Sequence, residues 1–241
     1  MKQHIVDVLS IPFINTTKDQ LVKDMNQRIS SNEKTFVVTA NPEIVEYANA
    51  HQEYKDILMN ADYIVPDGIG IIMASKLMKQ PLLERITGFD LLHDLLKLAD
   101  QHAYRVYFLG AEQNVIEKAA GILQRDYPNM TLAGYHHGYI SVDDAELAAS
   151  IAAVKPDIII TALGFPRQEE WVTLHNPLFE KGLFMGVGGS FDVIAGKVNR
   201  APAIWQKLNL EWMYRLIQQP SRWKRMLVLP KFALKVLSKR K

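Results

Sequence analysis

The chain has 241 residues, of which 48% are hydrophobic and 22% charged, with no cysteine and a formal net charge of +2. That length fits one large α/β domain or a domain with an appendage, and the composition excludes a disordered chain. Without cysteine there is no disulfide framework and no thiolate metal site, which fits a reducing compartment, and no run approaches the ~20 apolar residues of a membrane span.

The opening MKQHIVDVLSIPF carries Asp7 inside a short apolar stretch with no small-residue cleavage site after it, so it does not read as a signal peptide. The expectation is a protein kept in the cytoplasm unless it lies on a membrane surface. A helical pattern over Lys18–Ser30 leads to an apolar, β-branched strand over Thr35–Ala40 and a helix over Pro42–Ala50. A strand at Tyr63–Val65 precedes helices at Gly70–Met78 and Phe89–His102. Then strands at Arg105–Leu109, Thr131–Gly134, Asp157–Ala162 and Leu183–Val187 alternate with helices at Gln113–Tyr127, Asp143–Val154 and Arg167–His175. This alternation predicts an α/β fold: a mostly parallel sheet with helices on both faces. The near-continuous apolar strands fit burial on both sides.

The end of the chain differs. Trp205, Leu208, Trp212 and Leu216 recur at helical spacing within Ala201–Gln218, predicting one helix. Pro220 stops it and Ser221 can cap another. That second helix carries Trp223, Met226, Leu227, Phe232, Leu234 and Leu237 among Arg222, Lys224, Arg225, Lys231 and Lys235, and Pro230 should kink or interrupt it. The division is therefore an α/β core over 1–199 and a helical appendage over 200–241. From Lys197 onward there are 12 Lys and Arg and one acidic residue, Glu211, against 16 basic and 25 acidic residues before it. A basic tail on an acidic body points to an anionic partner. Basic residues beside tryptophan and leucine suit a membrane interface; a solvated basic face is the plainer reading, and no nucleic-acid motif is present.

Ligands of open parallel sheets bind where strands end. Thr39 and Asn41 end the first long strand, although Asn41-Pro42 is also a good helix start. Asp67 follows the next strand within Pro66-Asp67-Gly68. A positioned carboxylate there could act as a general base, while local sequence alone favours a turn. Gln168 and Glu169 open a helix whose free N–H groups favour anions. The loop Gly186-Val187-Gly188-Gly189-Ser190-Phe191-Asp192 would let backbone approach a diphosphate, but it is neither a Walker loop nor G-x-G-x-x-G. Arg85 stands in a polar connection, and Arg215, Arg222 and Arg225 bring guanidinium groups suited to phosphate. No His pairing and no D-x-D supports a metal, so none is expected.

These segments occur together and in order: Thr39-Ala40-Asn41, Pro66-Asp67-Gly68, Arg85 with Thr87-Gly88, Gly164-Phe165-Pro166-Arg167-Gln168-Glu169, the glycine loop through Asp192, Arg200-Ala201-Pro202, and Glu211-Trp212 with Arg215. In that combination the chain resembles the TagA/WecG/CpsF family, glycosyltransferase family 26, over about residues 4–228. The resemblance implies a Rossmann-like inverting glycosyltransferase of wall teichoic acid linkage-unit synthesis. It would move N-acetylmannosamine from UDP-ManNAc to the C4 hydroxyl of GlcNAc on undecaprenyl diphosphate, with no metal or other cofactor. It further implies Asp67 as base, with Thr39, Asn41, Arg85 and Gln168 around the sugar and diphosphate. Arg215, Arg222 and Arg225 would close over the site, on a protein peripheral to the inner face of the plasma membrane. Three rivals remain: a UDP-ManNAcA or UDP-glucose donor, a non-catalytic nucleotide-binding membrane adaptor, and a nicotinamide dehydrogenase, which the lack of a glycine-rich first turn disfavours. An apolar tail face could also pack against a second copy.

Overall fold

The chain begins with an antiparallel hairpin, β1 (Ile5–Val8) and β2 (Ile11–Ile14), which no sequence signal marks. Its connecting residues Leu9 and Ser10 both have positive φ, 54° and 66°. Such a turn normally carries Asn-Gly. Here Leu9 is buried in the core, and the Ser10 N–H donates to Asp7 Oδ1 at 2.8 Å. Tertiary packing thus holds a turn that residue preference disfavours. The computed structural model describes residues 4–220 and 223–239.

The main sheet comprises β3 (Lys34–Ala40), β4 (Tyr63–Pro66), β5 (Arg105–Gly110), β6 (Thr131–His136), β7 (Ile158–Ala162) and β8 (Gly182–Gly186). Its order is β4-β3-β8-β7-β5-β6, and every neighbouring pair is parallel. The expected α/β architecture is therefore present. Alternate strand residues feed two cores. Val37, Val65, Phe108, Ile160 and Met185 meet α1 (Lys18–Ser30), α5 (Gly88–His102), α6 (Gln113–Asp126) and α9 (Ser190–Ile194). Phe36, Val38, Ile64, Leu109 and Phe184 meet α2 (Pro42–Ala50), α3 (Gln52–Met59), α4 (Ile69–Leu77), α7 (Ala145–Ala153) and α8 (Arg167–His175) on the opposite face. Covering both faces explains why the strands read as unbroken apolar runs. Helix α3 has no counterpart in the sequence reading. The helix expected from Asp143 begins at Ala145, because Asp144 is its cap and accepts the Leu147 N–H at 2.9 Å.

The tail departs from expectation in one place and meets it in another. The single helix expected over Ala201–Gln218 is two, α10 (Ala203–Lys207) and α11 (Glu211–Gln218). Asn209 sits between them at φ 60°. The Leu210 N–H reaches the Trp205 carbonyl at 2.8 Å and the Asn209 N–H reaches Gln206 at 3.0 Å. This is a Schellman ending, with Asn in the left-handed position that glycine usually takes. The second break lies before Pro230, between α12 (Trp223–Met226) and α13 (Val228–Ser238). Proline has no N–H for the Met226 carbonyl, so a new helix starts with Pro230 in its first turn. The cap expected at Ser221 lies outside the described residues.

Helix α13 lies on α2 and α4 and buries Phe232 and Val236 in the core. Glu46 of α2, only 4% exposed, receives Lys235 Nζ at 2.7 Å and Lys231 Nζ at 3.6 Å. Arg225 Nε approaches Glu43 Oε1 at 3.6 Å. Acidic α2 thus receives the basic tail. Phe232→Ala should remove about 3–5 kcal/mol from this docking. The expected result is faster tryptic cleavage within α13; cleavage at the wild-type rate would contradict the docking described.

Candidate active site

The C-terminal ends of β3, β4 and β8 and the loop after β7 open into a cleft with two adjoining compartments. One, of ≈ 250 Å³, is polar in lining and includes Gly164, Gln168, Gly188, Gly189, Asp192 and Asn199. The other, of ≈ 400 Å³, runs beneath the tail past Met73, Leu77, Trp212, Met226, Leu229 and Phe232. Thr39, Asn41, Glu43, Asp67, Arg215 and Arg225 line both. Residues almost 190 positions apart in sequence therefore form one wall.

Asn41 does cap α2: its Oδ1 accepts the Ile44 N–H at 3.1 Å, with Pro42 in the first helical position. The cap uses the amide oxygen alone, and the residue still borders both compartments. Thr39 Oγ1 donates to the Gly186 carbonyl at 3.4 Å. It also packs against Gly88, where a Cβ would stand 2.9 Å from the hydroxyl.

Asp67 stands at a turn and still presents its carboxylate to the cleft. The chain does turn there, since Gly68 has φ 98° and α4 begins one residue later. That turn leaves the Asp67 carboxylate at the strand end, with Oδ2 3.4 Å from the Gly88 N–H. Burial pushes its pKa up, opposed by Arg85, Arg215 and the Gly88 hydrogen bond and assisted by Glu211. A carboxylate held above its ordinary range is a stronger base than a solvated one.

Arg85 borders the apolar compartment, and two of its donors are engaged by the tail. Nη1 donates to Asn209 Oδ1 at 2.6 Å, and Nη2 pairs with Glu211. Arg200 repeats the pattern, with Nη2 2.6 Å from Asp90 Oδ1 and its guanidinium 4.4 Å from the centre of the Phe89 ring. Two arginines thus tie the start of the tail to the core.

Gln168 and Glu169 do open α8, but both are buried. Gln168 Oε1 accepts the Gly188 N–H at 3.2 Å. That glycine-loop donor is therefore turned toward protein. Gly186 lies under the Gln168 side chain and borders neither compartment. Gly188, Gly189 and Asp192 do line the polar one. Arg222 lies outside the described residues.

Several cleft residues carry no signal in the sequence. Glu43 reads as part of a solvated helical face until Arg225 of the tail approaches it. Asn209 reads as a helix residue. Met73 and Leu77 read as ordinary surface of an apolar helix. Among the described residues, no three His, Asp or Glu side chains gather closely enough to hold a metal ion.

The raised pKa of Asp67 fixes a sign. A carboxyl with a folded pKa above its unfolded one contributes stability below the unfolded value and loses it as pH rises through the folded value. Asp67→Asn should therefore gain stability relative to wild type from acid to neutral pH. Paired thermal melts across that range check it; a variant that loses ground as pH rises would show that Asp67 is not strained by burial.

A model of the family described as "Glycosyl transferase WecG/TagA/CpsF family" matches residues 6–241. Curated relatives from Staphylococcus aureus strains MW2, NCTC 8325 / PS 47 and MRSA252 are each 44% identical over 233 residues, covering 96% of this chain and 91% of the relative. Each is named N-acetylglucosaminyldiphosphoundecaprenol N-acetyl-beta-D-mannosaminyltransferase. With a match spanning nearly its whole length, the chain belongs to the WecG/TagA/CpsF family of glycosyl transferases.

Proposed function

We propose that this protein is an inverting glycosyltransferase that moves N-acetylmannosamine from UDP-ManNAc to the C4 hydroxyl of GlcNAc on undecaprenyl diphosphate, in wall teichoic acid linkage-unit synthesis. One observation carries the reading: Asp67 lies on the wall shared by a polar and an apolar compartment. A transfer between a nucleotide sugar and a lipid-linked sugar needs two unlike sites meeting at one base. The polar compartment, with the glycine loop and Gln168, suits the nucleotide sugar. The apolar one, with Met73, Leu77, Met226 and Leu229, suits the first units of a prenyl chain.

In this reading Asp67 takes the proton of the acceptor C4 hydroxyl. Its oxygen attacks the anomeric carbon as the bond to UDP breaks on the opposite face. The electron pair leaves with the diphosphate. Arg215 and Arg225, with Arg222 beside them in sequence, offset that charge, a role in which such stabilisation is worth several kcal/mol. No cofactor and no metal enters the step. The names of the relatives support the N-acetylmannosamine reading over a UDP-ManNAcA or UDP-glucose donor and over an adaptor without turnover.

The test is UDP release from UDP-ManNAc with a short-chain GlcNAc-diphospholipid acceptor in the presence of EDTA. Wild type should release UDP only with acceptor, and Asp67→Asn should lose at least about a hundredfold, the scale of a lost general base. Release with another UDP-sugar alone would change the donor. Loss of activity in EDTA would refute the metal-free step, and no release with any donor would favour the adaptor.

Membrane docking is part of the same proposal. The tail exposes Ile204, Leu208, Ile217, Leu227 and Leu234, each more than 60% accessible, among its basic residues. Among the described residues no helix is long and apolar enough to cross a bilayer. Basic residues near an anionic leaflet contribute about 1 kcal/mol each. The protein should co-sediment with phosphatidylglycerol vesicles and be released by high salt. A second copy covering the same face would instead give a dimer that vesicles do not disperse.

A further inference from the structure

Two neighbouring side chains at the start of α8 are oddly placed for a helix entrance. Gln168 and Glu169 are 6% and 2% exposed, in a turn whose polar residues usually face water. Gln168 lines the polar compartment, whereas Glu169 lines neither. Gln168 Nε2 donates to Glu169 Oε1 at 2.7 Å, while Gln168 Oε1 accepts from Gly188 at 3.2 Å. A backbone N–H can only donate, so Oε1 must face Gly188 and Nε2 must face Glu169. The two partners select the same one of the amide's two orientations. Gly186 closes a third side, because a Cβ there would stand 2.4 Å from Nε2. The amide has two hydrogens on Nε2, and Glu169 takes one.

We propose that Glu169 is a positioning residue, holding the Gln168 amide so that its second Nε2 hydrogen is offered to the nucleotide sugar in the polar compartment. This rests on the reading of that compartment as a UDP-sugar site.

Glu169 can act this way with or without a proton. Burial pushes its pKa up to about 7, and the neutral acid still presents a carbonyl oxygen to Nε2. Its other oxygen is buried beside the Tyr54 hydroxyl, which interacts with the carboxyl and can donate to it or accept from it, so the pair is satisfied in either protonation state. A buried carboxyl of this kind is also what a general base looks like. Glu169 borders neither compartment, however, and Gln168 stands between it and the cleft.

Calorimetric titration of UDP-ManNAc into the full chain, without acceptor, tests the proposal. The proteins are wild type, Gln168→Leu, Glu169→Leu, the double variant and Glu169→Gln, each checked by thermal melting. Each single leucine variant should weaken binding about tenfold, the scale of one lost hydrogen bond. The double variant should bind no more weakly than Gln168→Leu alone, since Glu169 acts only through Gln168. Glu169→Gln keeps an accepting oxygen and should stay within about twofold of wild type by the same count of bonds. Additive losses in the double variant, or a folded Glu169→Leu that binds like wild type, would overturn the inference. A wild type that does not bind UDP-ManNAc would overturn the reading of the cleft instead. Should Glu169→Leu fail to fold, Gly186→Ala displaces Nε2 from the other side; it should give the same tenfold loss, and none in the Gln168→Leu background. Full binding by Gly186→Ala would count against the proposal.

Discussion

The cleft depends on keeping a half-buried carboxylate on the wall that its two compartments share. Asp67 follows β4, a buried strand at the edge of the sheet, and burial works against its charge. Alone, such a group would take up a proton. Arg85 from the core and Arg215 from the tail oppose that, the latter only while the tail lies across the sheet. The basicity of Asp67 and the position of the tail are therefore one problem. A more exposed carboxylate would be easier to hold and a weaker base.

The distribution of charge shows how the tail is held. The body is acidic and the tail basic, and their contact is made where α2 presents Glu43 and Glu46. Glu46 is buried with two lysines close to Oε2, while its Oε1 has no hydrogen-bond partner. Such a buried pair adds little net stability but penalises any arrangement that leaves the acid unpaired. It therefore acts more on where α13 sits than on how tightly it sits. Packing of Phe232 and Val236 supplies the adhesion. The tail spends few of its apolar residues on the core and turns many outward, which is how a surface that meets lipid would be built.

The ties at the start of the tail have a further consequence. Arg85 and Arg200 converge on Glu211, and Asn209 is held by both its helix-ending backbone and Arg85. The break between α10 and α11 thus occurs where core and tail are joined. Arg215, one helical turn beyond Glu211, is placed over Asp67 as a result. A straight helix through this region would carry Arg215 in another direction.

Local patterns in the sequence determined a good deal about this protein. The alternation of apolar strands and helices, the cap at Asn41, and the placing of Asp67 at a strand end all follow from residue periodicity and backbone preference, which act over a few positions. The ordered set of short segments sufficed for the family. Tertiary structure alone decided the rest. It set the hairpin turn at Leu9-Ser10, which packing holds against local preference. It joined Arg85 to Asn209 and Glu211, made Glu46 a buried partner of Lys235, and put Glu169 behind Gln168. Charges and hydrogen bonds are read by distance in space, and a chain that folds back over itself brings together partners that no local spacing marks.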